Sequence, residues 1–385
     1  MRELYLPYGN QWIDNEDIQE VINVLKSDFI TTGPKIQEFE NIVAKYVGAK
    51  YAVAFSSGTA ALHGACFVAG IGEGDEVITT PITFAASANC VRYVGGNVVF
   101  ADIDEQTYNI DPKEIEKNIT KRTKAIIPVH FTGQPVDLDA IHAIAKKHNL
   151  IVIEDAAHAL GATYKGKKIG SISDMTMFSF HPVKHITTGE GGIITTNNEQ
   201  YYEKLLQFRA HGITRNTKLL EKNDGPWYYD MQFLGFNYRM TDIQAALGIS
   251  QMKKLDSFIK RRKEIVNRYN EEFSQVSEII TPYQHEFSDS SWHLYIIQLR
   301  LEKLNASRKE VFEELLNLKI GVNVHYIPVH TLSYYEKLGY KKGSLPKAEK
   351  LYERIITLPL FPKMTDDDVT DVIQSVKSVI SKVKK

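Results

Sequence analysis

The stretch Ser179-Phe180-His181-Pro182-Val183-Lys184-His185-Ile186-Thr187-Thr188-Gly189-Glu190-Gly191-Gly192 holds the most chemically suggestive arrangement in the chain. An apolar run of strand length, Met175 to Phe180, stops at a proline. A lysine follows, then two threonines and a glycine-rich bend before a second apolar run, Ile193-Ile194. A lysine in such a bend can be fixed by the backbone and aimed into a cleft. A Schiff-base lysine needs this, because its amine must be desolvated and held still to lose its proton near neutral pH. An ordinary lysine, with a pKa of about 10.4, is a poor nucleophile at pH 7. Most lysines are solvated surface charges, so the case for Lys184 rests on its company.

Four other positions supply that company. Ser56-Ser57-Gly58-Thr59 follows a short apolar run and opens a helical one, so its N–H groups and hydroxyls can hold a phosphate. Small residues at such a turn also serve packing alone. Asp155, in Ile153-Glu154-Asp155-Ala156-Ala157-His158, ends an apolar strand, where a carboxylate is costly unless it meets a cation or hydrogen-bond donors. A protonated pyridine nitrogen is one such partner; a helix cap is the plainer reading. Ser179, five residues before Lys184, is spaced to reach the phosphate of a molecule held at that lysine. Phe84, on the loop Thr80-Pro81-Ile82-Thr83-Phe84, can stack on a planar ring, although most phenylalanines pack in a core.

The elements that must position these residues alternate. Tyr51–Phe55, Glu76–Thr80, Val98–Asp102, Ala125–Phe131, Leu150–Glu154, Met175–Phe180 and Gly192–Thr196 read as strands, with helical stretches such as Ala60–Ala69 and Ile141–His148 between them. This predicts a mostly parallel sheet covered by helices, with ligands at the carboxyl ends of the strands. Ahead of it, Asp14–Leu25 predicts a helix with Ile18, Val21, Ile22 and Leu25 on one face. Lys35–Tyr46 predicts another, ended by Gly48. Thr241-Asp242-Ile243-Gln244 is a capping box that opens one long helix running into Lys260–Lys263. The order then changes: a strand over Trp292–Leu299, a helix capped by Ser307, a strand over Val322–Ile327, and a last helix from Asp366 to the lysine-rich end. The expected division is a large α/β domain over residues 1–250 and a smaller α+β domain over 251–385.

At 385 residues, with 43% hydrophobic and 24% charged residues, the chain matches a globular enzyme. Its 46 Lys and Arg against 47 Asp and Glu give no bias towards nucleic acid or anionic membranes. No run reaches membrane-spanning length and no export signal is evident, so a cytoplasmic location is expected. Cys66 and Cys90 read as buried thiols rather than a disulfide or a metal site. His181 and His185 have helical metal-ligand spacing, but Pro182 between them argues against a shared helical face.

Taken together, the chain resembles a fold-type-I pyridoxal phosphate enzyme, and within that group the DegT/DnrJ/EryC sugar aminotransferases. The resemblance is carried by Ser57-Gly58-Thr59-Ala60-Ala61-Leu62, Glu154-Asp155-Ala156-Ala157-His158, Ser179 to Lys184, Thr188-Gly189-Glu190-Gly191-Gly192 and Gly235-Phe236-Asn237-Tyr238-Arg239-Met240. It implies that Lys184 holds the cofactor covalently, that Asp155 keeps the pyridine nitrogen protonated, that His158 and Phe84 flank the ring, and that Gly58, Thr59 and Ser179 hold the phosphate. Many relatives carry Gln at the position of His158. The resemblance also implies a homodimer with shared active sites, Asn237 reaching the phosphate in the partner's site, and L-glutamate as amino donor. Leu6-Pro7-Tyr8-Gly9, Asp28-Phe29-Ile30-Thr31 and Asn323-Val324-His325-Tyr326 look most like the branch that makes the 4-amino precursor of pseudaminic acid. Its substrate is a UDP-linked 4-keto-6-deoxy-L-sugar with a 2-acetamido group, and Tyr8, Asp28, Phe29, Ile30, Thr31, Asn323, His325 and Tyr326 are the implied contacts.

Three rivals share some of these features. A nucleotide-sugar oxidoreductase or epimerase should show Gly-x-Gly-x-x-Gly after its first strand, and none is present. Tyr46 to Lys50 and Tyr164 to Lys168 have Tyr-x-x-x-Lys spacing, but each contains a glycine and reads as a turn. A dehydratase on the same scaffold would carry histidine in place of Lys184. A non-catalytic sugar-nucleotide sensor would keep the fold without the reacting lysine chemistry.

Overall fold

The computed structural model describes residues 2–385. Seven strands form the central sheet: β1 (Tyr51–Phe55), β2 (Glu76–Thr79), β3 (Asn97–Phe100), β4 (Thr123–Ile127), β5 (Ile151–Asp155), β6 (Met175–Ser179) and β7 (Gly192–Thr196). Their spatial order is β1-β7-β6-β5-β4-β2-β3. β7 pairs antiparallel with both β1 and β6, and the remaining pairings are parallel.

The strands are apolar throughout because both sheet faces are covered. Alternate residues serve opposite cores. Phe55, Val77, Ile127, Ile153, Met177 and Ile194 point into one. Ala54, Ile78, Ile126, Val152, Phe178 and Ile193 point into the other. A third core lies under the carboxyl-terminal region, where β8 (Tyr295–Leu299) pairs antiparallel with β9 (Ile355–Leu358). Tyr295, Ile297 and Leu299 face that core, while Leu294 and Ile296 face the first one. One strand therefore joins the small layer to the large one.

Most helix signals hold. α1 (Asn15–Leu25) is capped by Asp14, and α2 (Pro34–Val47) stops at Gly48 with φ +79°. α3 (Gly58–Val68) is capped by Ser57, α4 (Ala86–Tyr93) follows β2, and α5 (Leu138–His148) precedes β5. Ser307 and Thr365 each close a capping box, on α8 (Arg308–Asn317) and α9 (Asp366–Val383).

Two expectations need correction, and one helix face needs comment. The long helix from Thr241 is two: α6 (Asp242–Met252) and α7 (Leu255–Phe273). The break falls at Lys253-Lys254, where Lys254 turns its Nζ to Asp17 at 3.1 Å and to Asp14 at 2.5 Å, fastening the junction to α1. Val322–Ile327 forms no strand. Among its residues Asn323 makes one antiparallel bridge, to Thr357, and the place beside β8 is taken by Ile355–Leu358. Finally, Ile18 and Leu25 lie about half exposed on the surface of the single chain; the buried residues of α1 are Asp17 and Val24. Asp17 accepts from Gln251 Nε2 at 2.7 Å. The shared face of Ile18, Val21, Ile22 and Leu25 is thus only partly covered within one chain.

Among the described residues, no helix is long and apolar enough to cross a membrane, and no cluster of three His, Cys, Asp or Glu is placed to hold a metal ion.

Candidate active site

The carboxyl ends of β1, β5 and β6 bring three sequence signals to one place. After β1, Ser57 Oγ accepts from Ala60 N at 3.1 Å and starts α3. The N–H groups of a helix's first turn have no carbonyl partner inside the helix, so those of Gly58 and Thr59 remain available to an anion. A Cβ on Gly58 would sit 3.2 Å from both Met177 Sδ and Ser179 Cβ. Gly192 begins β7 opposite Phe55 and Ser179. A Cβ there would lie 2.5 Å from the Gly58 nitrogen. Gly192 and Gly58 are therefore packed backbone to backbone, with the Ser179 side chain against Gly58 and its hydroxyl beside the helix start.

Asp155 ends β5 and is buried. Its Oδ2 accepts from Ser87 Oγ at 2.6 Å and its Oδ1 from Ala157 N at 3.1 Å. Burial raises the carboxyl's pKa, and Ser87, Ala157 and the nearby Lys184 ammonium oppose the rise. Ser87 lies in the first turn of α4 and is itself 2.7 Å from Thr83 Oγ1.

Beyond β6 the chain folds back on Phe180. Phe180 N donates to Gly191 O at 2.9 Å and Thr188 N to Phe180 O at 3.0 Å. Thr187 Oγ1 donates to the same carbonyl at 3.1 Å. This closed bend carries Lys184, whose side chain is half-buried. Burial pushes its pKa down to about 8; Asp155 resists that fall and the Arg262 guanidinium adds to it. About one amine in ten is then free at pH 7, against about one in a few thousand for an ordinary lysine.

Imidazoles and phenols wall the space around this amine. His158 faces Tyr326 OH through Nε2 at 3.2 Å, and its Nδ1 is buried without a partner. His293 Nε2 is 3.5 Å from Lys184 Nζ, and its ring centroid is 4.4 Å from that of His158. Burial, with the Lys184 charge next, holds both rings well below the usual imidazole range. His325 bonds Thr357 Oγ1 at 2.9 Å, and burial lowers it to about 3. Tyr8 packs on His325 at 5.2 Å between centroids, and Asn323 bonds the backbone of Thr357. Phe84 is 63% exposed, with its ring 6.3 Å from Tyr326. It presents a free aromatic face instead of filling a core.

The structure thus gathers Gly58, Thr59 and Ser179 at one spot, and Asp155, His158, Lys184, Phe84, Tyr326, His325, Tyr8 and Asn323 into one connected cluster. It does not gather the rest. Asn237 is exposed, bridged through its backbone to Ala210. Asp28, Phe29, Ile30 and Thr31 are all exposed and fastened to the start of α6: Asp242 N donates to Ile30 O at 3.1 Å, and Thr31 bridges Thr241. Sequence reasoning missed Ser87 and His293. The first sits in the small-residue run Ala85-Ala86-Ser87-Ala88, and its only signal is a hydroxyl on the loop that already carried Phe84. The second interrupts an apolar strand pattern, Trp292-His293-Leu294, and a polar residue in such a place invites the question of its partner.

The one reversed strand in an otherwise parallel sheet, with an acid and a desolvated lysine at neighbouring strand ends, places the chain among transferases of fold type I, the pyridoxal phosphate class. The chain belongs to the DegT/DnrJ/EryC1/StrS aminotransferase family, whose model matches residues 11–377. It is 47% identical to the spore coat polysaccharide biosynthesis protein SpsC of Bacillus subtilis, over 98% of each chain. It is 40% identical to the UDP-4-amino-4,6-dideoxy-N-acetyl-beta-L-altrosamine transaminase of Campylobacter jejuni, over 99% of each. Spr1654 of Streptococcus pneumoniae, solved in a PLP form, superposes with a TM-score of 0.92 at 36% identity, covering 98% of this chain and 99% of that one.

Proposed function

We propose that the protein uses pyridoxal phosphate to transfer an amino group from L-glutamate to C4 of a UDP-linked 2-acetamido-2,6-dideoxy-4-keto-L-hexose, the step that yields the 4-amino precursor of pseudaminic acid. The observation that carries the reaction class is the Lys184 amine, partly desolvated beside His293 and near a buried carboxylate. The sugar is supported by the identity to the altrosamine transaminase.

The residues present fit the cofactor. Gly58 leaves open the space that a Cβ would fill beside Ser179. The first-turn N–H groups and the Ser179 hydroxyl suit a phosphate. Asp155, costly where it stands, suits a cationic ring nitrogen. The unpartnered Nδ1 of His158 marks a wall built for a ligand.

Bound there, pyridoxal phosphate supplies an electron sink for the carbanion formed at the donor's α-carbon. Asp155, oriented by Ser87, keeps the ring nitrogen protonated. His158 and Phe84 confine the ring, and Lys184 Nζ removes the donor's α-proton and redelivers it. On the return half-reaction the same nitrogen gives a proton to C4 of the sugar. Tyr8, Asn323, His325 and Tyr326 line the sugar's side of the cleft. Asp28 to Thr31 and Asn237 complete the partner subunit's site in a homodimer, which fits their exposure in the single chain. In this reading the enzyme works in the cytoplasm, and residues 1–250 and 251–385 act as its large and small domains.

The higher identity to SpsC favours a second reading, in which another nucleotide-linked 3-keto or 4-keto sugar is the acceptor. Mass spectrometry of products from a panel of UDP- and dTDP-linked keto-sugars with glutamate separates the two. Conversion confined to the UDP-linked L-sugar supports the first, and preference for another acceptor selects the second. An enzyme that aminates no keto-sugar refutes both.

A further inference from the structure

Arg262, on α7, has entered so far only through its charge, which lowers the Lys184 pKa. Its side chain is fully buried, and among the described residues it makes no ion pair. Nη1 donates to the carbonyl oxygens of Leu360 at 2.8 Å, His293 at 3.2 Å and Trp292 at 3.3 Å, while Nε and Nη2 have no partner. A guanidinium without a carboxylate is costly to bury, so its place calls for an account. The carbonyls it holds belong to a strained turn: Trp292 has φ +52°, a region that bulky residues rarely enter. The next residue is His293, whose Nε2 faces the Lys184 amine.

The same turn is tied to the large layer on its other side. Ser291 Oγ donates to His158 O at 3.1 Å, and His185 Nε2 lies 3.0 Å from Ser291 O. Ser291 N and Leu294 N donate to Gly133 O and Thr132 O. Arg262 is the anchor from the carboxyl-terminal side.

We propose that Arg262 is a positioning residue for Lys184: by gripping the carbonyls of Trp292 and His293 it holds the His293 imidazole where Nε2 accepts a hydrogen from the lysine amine. The groups facing that amine are Asp155 from β5, His158 beyond it, His185 beside it, His325 and Tyr326 from the loop before β9, and His293 with Arg262 behind it. Asp155 alone among them is an acid in the carboxylate sense, and the imidazoles are kept neutral by burial. A neutral Nε2 is thus an acceptor that stays available, and it orients the amine for proton transfer.

The inference rests on Lys184 being the reacting amine, and its test reads that amine without turnover. Full-length protein stripped of cofactor is labelled with trace acetic anhydride, and the Lys184 peptide is quantified by mass spectrometry. His293→Phe keeps the ring shape and loses the acceptor; Arg262→Lys keeps the charge but is too short to reach the same carbonyls. An acceptor stabilises the ammonium form, so its loss lowers the amine's pKa. Each variant is expected to raise Lys184 labelling at pH 7 by about threefold, the effect of roughly half a pKa unit. The double variant is expected to go no further than either single one, because Arg262 acts through the ring. Unchanged labelling in His293→Phe, or additive effects in the double variant, overturns the proposal. If Arg262→Lys does not fold, His293→Phe alone decides. Wild-type protein that aminates no keto-sugar, while Lys184 labelling still rises in the variants, would instead count against the proposed function.

Discussion

Ser87→Ala tests the electrostatics of the site at a residue that touches neither Lys184 nor the phosphate cradle. Its hydroxyl is 2.6 Å from Asp155 Oδ2, and Thr83 Oγ1 stands behind it at 2.7 Å. With Ala157 N it is one of two donors to a carboxyl that burial already drives upward. A hydrogen bond to a charged group contributes about 1.5–3 kcal/mol, and a pKa unit corresponds to about 1.4 kcal/mol. Losing the hydroxyl should therefore push the Asp155 pKa further up. The sign follows from linkage. A carboxyl whose folded pKa lies above its unfolded value adds stability below the unfolded pKa and loses it as pH rises through the folded one. Ser87→Ala should then cost little stability in acid and about 1.5–3 kcal/mol near neutrality. Urea unfolding of the cofactor-free protein at both pH values, in the Asp155 and Asp155→Asn backgrounds, isolates the coupling. A coupling below about 0.5 kcal/mol at neutral pH would refute the idea that Ser87 supports an ionised Asp155.

Other outcomes follow from the same geometry. Lys184→Ala should abolish transamination and leave the circular dichroism spectrum unchanged; any retained turnover with glutamate and a keto-sugar contradicts the assignment. Gly58→Ala should weaken cofactor retention, measured by dialysis and absorbance, because its Cβ must share 3.2 Å with Ser179 Cβ and Met177 Sδ. Asn237→Ala should lose cofactor affinity, and mixing it with Lys184→Ala should restore at most a fraction of sites; independent subunits would show no such dependence. Glu154→Gln should destabilise the fold by about 1.5–3 kcal/mol, as expected for weakening hydrogen bonds to a buried charged group. Burial raises the Glu154 pKa, but His130 at 2.6 Å, Ser173 and Thr176 outweigh it and the net shift is downward. Its stabilisation is present above the unfolded carboxylate pKa and fades as pH falls through the folded value, so the acid limb of a stability–pH curve should flatten in this variant.

The sheet was legible because strands buried on both faces leave unbroken apolar runs, and the turns after them carry the unusual residues: Gly58 and Thr59, Asp155, Ser179, Lys184. Local signals also held where one side chain decides the outcome, as at Ser57, Thr241 and Ser307. What the sequence concealed depends on distant partners. The helix break at Lys254 comes from acids some 240 positions earlier, Asp14 and Asp17, and the periodicity of α6 and α7 runs through it without a mark. Val322–Ile327 alternates like a strand, but Ile355–Leu358 holds the edge of β8. The apolar residues of α1 share one face as their spacing predicts, and in one chain Ile18 and Leu25 stay open; a stripe marks an apolar face without saying what covers it. Ser87 and His293 act only through Asp155 and Lys184, about 70 and 110 residues away, so no local pattern could reveal them.

Gly192 has a wider consequence. It lies in ordinary extended backbone, so its lack of a side chain serves proximity, not flexibility: the first turn of α3 rests directly on the start of β7. The helix start and the lysine loop are in this sense a single rigid part assembled from segments more than a hundred residues apart. A movement that tilts one must carry the other. Recombining this chain with a relative between residues 60 and 190 would join halves from two differently shaped seats, and such chimeras should tolerate crossover far better outside that interval than within it.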